Sequence, residues 1–187
     1  MTRIERMTGP ACAERTGVSA LRQLRARIGT GPLQIMPGTI STSLHLPGGA
    51  ILLDRALVED FEEPAVVAGY ALAEQTLSEA RDPLRALLET LGLGASLQLV
   101  TTGGLKGDVL DSYAEHLLTL ERVVPDDEML LQAFATRSMH STAYAYARDV
   151  TGETVLSLIE GDPMTGKPAA ELLSDADWLR LQSICGG

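Results

Sequence analysis

The chain has only two cysteines, Cys12 and Cys185, near opposite ends of the sequence and too far apart for a CxxC metal or redox motif. The simplest expectation is two reduced, partly buried thiols. The alternative, a Cys12–Cys185 disulfide fastening the ends together, requires an oxidising compartment. No apolar run approaches the roughly 18–20 residues needed to cross a bilayer, and no n-region, h-region and cleavage site can be read at the amino end. As written, the chain reads as soluble and cytoplasmic, and a removed segment upstream of Met1 would make it exported or membrane-tethered. Basic residues are scarce after the first thirty positions. Residues 1–30 carry six Arg against two Glu, which leaves nine basic and twenty-three acidic residues beyond them, in a chain of net charge −10. A body of that sign repels phosphate backbones and anionic lipid, so neither nucleic acid nor a membrane surface is an expected partner. The basic head reads as a solvated helix face, with a docking arm as the alternative.

What is present fits one folded domain. The length of 187 residues suits a single core with a short appendage, and 45% hydrophobic with 21% charged residues is an ordinary globular composition. The division expected is an N-terminal helix and arm over residues 1–32 and one α+β domain over 33–187, a small sheet at about 33–53 followed by packed helices.

Val18, Leu21, Leu24 and Ile28 recur at helical spacing before Gly29-Thr30-Gly31-Pro32. Three β-rich runs follow, 33–36, 39–46 and 50–53, separated by Pro37-Gly38 and Pro47-Gly48-Gly49. After Asp54 the pattern turns helical. Glu62 and Glu63 ahead of Pro64 suit a helix start, and Val66, Tyr70, Ala73 and Leu77 form a core-facing stripe over 64–80. Further helices are expected over 83–91, 108–122 and 126–134, and a short one from Thr151-Gly152-Glu153 carrying Leu156 and Ile159. Residues 162–168 read as a loop. Ser174 with Asp177 reads as a capping start for a last helix anchored by Trp178, Leu181 and Ile184.

The stretch from Thr42 to Leu57, with Leu46-Pro47-Gly48-Gly49 at the turn and an apolar strand after it, leads into a helix rich in Val and Ala. It resembles the bacterial membrane heat-shock metallopeptidases and CAAX prenyl endopeptidases, in which such a turn follows an edge strand and a later helix bears the zinc-binding HExxH. In that motif two His one helical turn apart hold the metal and the Glu between them activates its water. Set on the family pattern, Gly69 and Ala73 stand in place of the His pair and Tyr70 in place of the Glu, and none can ligate or activate. The interval from Pro47 to Gly69 is somewhat shorter than in the family. The family's third ligand, a Glu in an ExxAD stretch, has its counterpart in Asp111-Ser112-Tyr113-Ala114-Glu115, with acid, Ala and acid at matching spacing and Asp and Glu exchanged. The resemblance covers about residues 33–120. It implies a metallopeptidase-like scaffold without zinc or other cofactor, serving binding, scaffolding or regulation. Its expected partner is a protein or peptide taken as an added strand beside Leu46, Pro47, Gly48 and Gly49, and the oligomeric state is left open. The alternatives are an enzyme of another class with His45, His116 or His140 as its base, or a structural domain of a longer bacterial protein.

Other motifs carry less. The three His show no His-x₃-His or Cys/His pairing. Gly161 to Lys167 fits GxxxxGK, but Pro168 follows where a phosphate loop needs Ser or Thr for Mg²⁺. Thr101 to Gly107 is glycine-rich without a strand-to-helix context. No Gly-x-Ser-x-Gly elbow occurs.

Overall fold

The protein is described here by a computed structural model covering residues 9–38, 40–80 and 123–186. The expected helices at 83–91 and 108–122, the glycine-rich loop at 101–107, and Asp111, Glu115 and His116 lie outside the described residues. The fold is α+β, a three-stranded mixed sheet with seven α-helices among the described residues.

Helix α1 spans Arg15–Ile28 and starts three residues before its first apolar position, because Glu14 caps it. The Glu14 carboxylate accepts from the Thr16 hydroxyl at 2.6 Å and the Gly17 N–H at 2.8 Å. These bonds favour the ionised form and hold its pKa down at about 2. Gly29, in the left-handed region, ends the helix. Ala20, Leu21, Leu24 and Ile28 enter the same core as the segments after residue 33.

The strands are β1 (Leu33–Met36), β2 (Ser43–His45) and β3 (Ile51–Asp54), in spatial order β1-β3-β2. β1 runs parallel to β3 with Leu33 opposite Ile51, and β2 runs antiparallel to β3 with Ser43 opposite Leu53. β3 is central and its four residues are all buried, which its apolar run Ile51-Leu52-Leu53 suits. Ile51 and Leu53 join the main core, whereas Leu52, pointing the other way, packs with Met36 and Ile40 in a smaller cluster that takes in Leu44 and Leu46. β2 is shorter than the β-rich run over 39–46.

A short helix α2 (Ala56–Glu59), whose first N–H bonds the Asp54 carboxylate at 3.0 Å, leads to α3 (Pro64–Ala80). Proline at the first helical position loses no hydrogen bond there. The stripe Val66, Tyr70, Ala73 and Leu77 is buried, but so is every residue from Val66 to Glu74. α3 is therefore enclosed rather than one-sided. It touches β2 and β3, α1 and α2, and two later helices, α4 (Asp127–Thr136) and α5 (Thr142–Arg148). α4 opens on Asp126, which accepts from the Glu128 and Met129 N–H groups at 3.0 and 3.2 Å.

After α5 come a 3₁₀ turn (Glu153–Val155), α6 (Leu156–Glu160) and α7 (Asp175–Gln182). The segment after Thr151 is helical, but Leu156 is exposed, and Val155 and Leu158 fill the core. The change of pitch from 3₁₀ to α shifts the buried face by one position. Ser174 caps α7 as its spacing indicates, accepting from the Asp177 N–H at 3.2 Å, and Trp178, Leu181 and Ile184 are buried.

The expectation of two reduced thiols is corrected: Cys12 and Cys185 are joined in a disulfide, with Cα atoms 4.6 Å apart. The Cys12 N–H bonds the Ile35 carbonyl and the Glu14 N–H bonds the Ile184 carbonyl, so the segment before α1 and the end of α7 meet beside β1. Among the described residues no helix is long and apolar enough to cross a membrane.

Candidate functional site

Gly69, Tyr70 and Ala73, the positions set against the HExxH motif, lie inside the molecule where α3 crosses α5. A Cβ on Gly69 would stand 2.5 Å from the Cβ of Tyr144, so glycine is needed there for the two helices to approach. The Tyr70 ring meets the Tyr144 ring edge-to-face with centroids 5.0 Å apart, and its hydroxyl donates to the Ala147 carbonyl at 3.3 Å. Tyr70 is 4% exposed and Ala73 2%. Tyr144, fully buried and also against Phe134, closes this face of α3. Among the described residues no group of three or more His, Cys, Asp or Glu is placed to hold a metal ion.

One turn beyond Tyr70, on the same face of the helix, is Glu74. Its buried carboxylate accepts from the Ser43 hydroxyl at 2.7 Å, the His45 N–H at 3.2 Å and His45 Nδ1 at 2.8 Å. In the β2–β3 pair, Leu46 and Thr42 bond across to Ala50 and Asp54. By the alternation of antiparallel pairing, Ser43 and His45 therefore turn their backbone groups away from β3. Glu74 thus takes the His45 N–H on the side of β2 that faces away from β3. Leu46, Pro47, Gly48 and Gly49 form the tight turn between β2 and β3. The Leu46 N–H bonds the Ala50 carbonyl, the Gly49 N–H bonds the Leu46 carbonyl, and Gly48 and Gly49 both have positive φ. A strand added beside this turn would have to displace Glu74 from His45.

Removing that carboxylate takes away three hydrogen bonds to β2, and hydrogen bonds to a charged group contribute about 1.5–3 kcal/mol each. We expect Glu74→Ala to lower the unfolding free energy by about 3 kcal/mol, read as a lower urea midpoint with unchanged slope. A midpoint equal to wild type would show that the bonds to β2 contribute nothing.

A second histidine–carboxylate pair lies across the molecule. Both oxygens of Asp162 lie within 3.1 Å of His140 Nδ1. Asp162 also accepts from the Thr142 N–H at 3.3 Å, the Thr142 hydroxyl and the Met164 N–H at 2.8 Å. Burial alone would raise its pKa, but the bonds from Thr142, Met164 and His140 outweigh it and hold the carboxyl below its ordinary value. Asp162 is thus an ionised acceptor. His140 Nδ1 therefore faces an ionised acceptor and donates to it, which leaves Nε2 as the ring nitrogen not engaged by Asp162. The residues read as a phosphate-loop look-alike form turns around this carboxylate, with the Thr165 hydroxyl and N–H both bonding the Asp162 carbonyl. No helix follows Lys167 before Asp175.

His140 lines an open cleft of about 430 Å³ with Thr142, Ala143, Tyr146 and Ala147 on one side and Phe61, Glu62, Glu63 and Val66 on the other. Its lining is mostly apolar surface, and Glu62 and Glu63 are exposed on the segment before α3. Neither makes an ion pair among the described residues. His45 and His140 stand out in the sequence as candidate bases, whereas nothing there marks Glu74, Asp162, Glu62, Glu63 or Tyr146 as site residues. A buried carboxylate 22 or 29 residues from its histidine leaves no local spacing to read. No protein-family model and no curated protein matches the chain.

Proposed function

We propose that the chain is a metallopeptidase-like scaffold without zinc chemistry, serving as a binding domain. The observation that carries this reading is the closure of α3 by Tyr144, which occupies with a phenol the face where a metal and its water would need an open cleft. The order of edge strand, Pro-Gly-Gly turn, buried strand and enclosed helix supports the scaffold half of the proposal. A register one helical turn later sets Ala73 and Leu77 in the two His positions and Glu74 in the acid position, and it lengthens the interval after Pro47. In either register α3 presents no imidazole. In the later one the acid is retained but already accepts three hydrogen bonds from β2, so it is bound to the strand instead of facing water. A general base must reach the proton it abstracts.

The test is cleavage of a permanently unfolded protein at neutral pH with added zinc. We expect no product above the buffer control. Cleavage that a chelator abolishes and zinc restores would overturn the proposal.

The histidine–carboxylate pair at the cleft supports a second reading, in which His140 acts as a general base oriented by Asp162. Among the described residues no serine or cysteine lines the cleft, so the attacking group in that reading is water. It predicts hydrolysis of activated esters that His140→Gln removes.

A further inference from the structure

We propose that the cleft between the segment Phe61–Val66 and α5 binds a small organic ammonium, a primary amine on an aromatic or branched aliphatic body. The inference gives a ligand class to the binding role proposed above and rests on that reading only in treating the chain as a binding domain.

The argument starts from hydrogen-bonding capacity. The donors nearest the cleft are turned inward: the Thr142 N–H and hydroxyl and His140 Nδ1 all point to Asp162. The polar side chains left on the lining are the Glu62 and Glu63 carboxylates, the Tyr146 hydroxyl, which both donates and accepts, and the outer edge of the His140 ring, so the charged groups there are both acceptors. Carboxylates only accept, and an ammonium only donates. A ligand that satisfies this lining must bring N–H groups and positive charge. An anion would meet two carboxylates, with a third ionised carboxylate behind His140.

The second part is the apolar wall. Phe61, Val66, Ala143 and Ala147 offer hydrocarbon surface, and Tyr146, about half exposed, offers a ring face on which a cation is attracted by the π electrons. A volume of about 430 Å³ falls in the range of small-molecule sites, roughly 300–1,000 Å³. A bare inorganic cation would leave this wall wet and gain nothing from it. Charge complementarity and apolar surface together specify an amine with a body.

The molecule carries its own reporter. Trp178, the one tryptophan in the chain, donates its indole N–H to the carbonyl of Glu62 at 2.9 Å, so an occupant pressing on Glu62 perturbs the indole directly.

Phenethylamine is the probe, with phenylacetate as the anion of similar body and methylamine as the charge without the body. Titrations of wild-type protein in physiological salt should show a saturable change in Trp178 emission with phenethylamine alone. Ligand-observed NMR on the same samples detects binding that leaves the indole silent. Glu62→Gln with Glu63→Gln should weaken binding by about tenfold or more, as expected for loss of hydrogen bonds to charged groups, with the melting temperature lowered by no more than a few degrees, because both side chains are exposed and give up only their attraction to the start of α3. Glu171→Gln, an exposed acid outside the cleft, should leave affinity unchanged and so separates site binding from general attraction to an acidic protein. Equal binding of phenylacetate, an unaltered affinity in the Glu62/Glu63 variant, or no binding by either measurement would overturn the inference. A protein that cleaves unfolded substrates with zinc yet still takes phenethylamine would refute the proposed function and leave this site standing.

Discussion

Reduction of the Cys12–Cys185 disulfide should lower the unfolding free energy by about 5 kcal/mol. The bond closes a loop of sequence separation 173, and in the chain-entropy account the unfolded state gains more freedom from breaking a longer loop, about 5 kcal/mol at this length. The folded state changes little by comparison, because the Cys12 N–H and Glu14 N–H still bond Ile35 and Ile184 and because α1 packs closely on α7. For a protein of this size 1 kcal/mol moves the melting temperature by roughly 2–4 °C, so the shift should be about 10–20 °C downward. Melts with and without reductant measure it, and Cys12→Ser with Cys185→Ser should melt with the reduced protein. Identical melts would mean that the bond constrains nothing the tertiary contacts do not already hold.

Introducing an HExxH motif by Gly69→His, Tyr70→Glu and Ala73→His should leave the protein largely unfolded at 25 °C. Any side chain at position 69 is driven into Tyr144, whose Cβ would lie 2.5 Å from the new Cβ. Overpacking of this kind costs typically about 1–3 kcal/mol per site, and Ala73, at 2% exposure, is equally enclosed. Replacing Tyr70 removes a buried aromatic, a change of roughly 3–5 kcal/mol when truncated to Ala, and puts a carboxylate among apolar neighbours. The total exceeds the lower end of the usual stability range of about 5–15 kcal/mol. The single change Gly69→Ala isolates the steric part. Helix propensity alone would stabilise it by about 1 kcal/mol, whereas the contact with Tyr144 should reverse the sign to a net loss of about 1–2 kcal/mol in chemical denaturation. A triple variant that melts at the wild-type temperature would show that Tyr144 swings aside and that the face is open.

The order of segments was legible because it is local. The apolar spacing of Val18 to Ile28, the Pro and Gly residues around three short strands, and the Ser174–Asp177 cap each act within a few residues, and the structure has all three. The stripe on α3 was legible, but its enclosure on all sides was not. Periodicity records that one face is apolar, and Ala68 and Ala71 on the other faces are small enough to fit a solvated surface or a tight helix crossing equally well. The site was legible only in fragments. Tyr144 meets Gly69 across 75 positions, Glu74 reaches His45 across 29, and Asp162 reaches His140 across 22. One sequence contains no record of such pairings. The cysteines show the same limit: two thiols 173 residues apart give no sign of their distance in space, and the plainer expectation was the wrong one.

The central proposal is that α3 carries no zinc chemistry, with Tyr144 packed against the face where a metal would need to sit. Zinc content measures this most directly. Protein expressed in zinc-supplemented medium, dialysed at neutral pH and assayed by elemental analysis should hold far less than one zinc per chain, and calorimetric titration of zinc into it should show no tight one-to-one binding. One zinc per chain, retained through dialysis, would contradict the account.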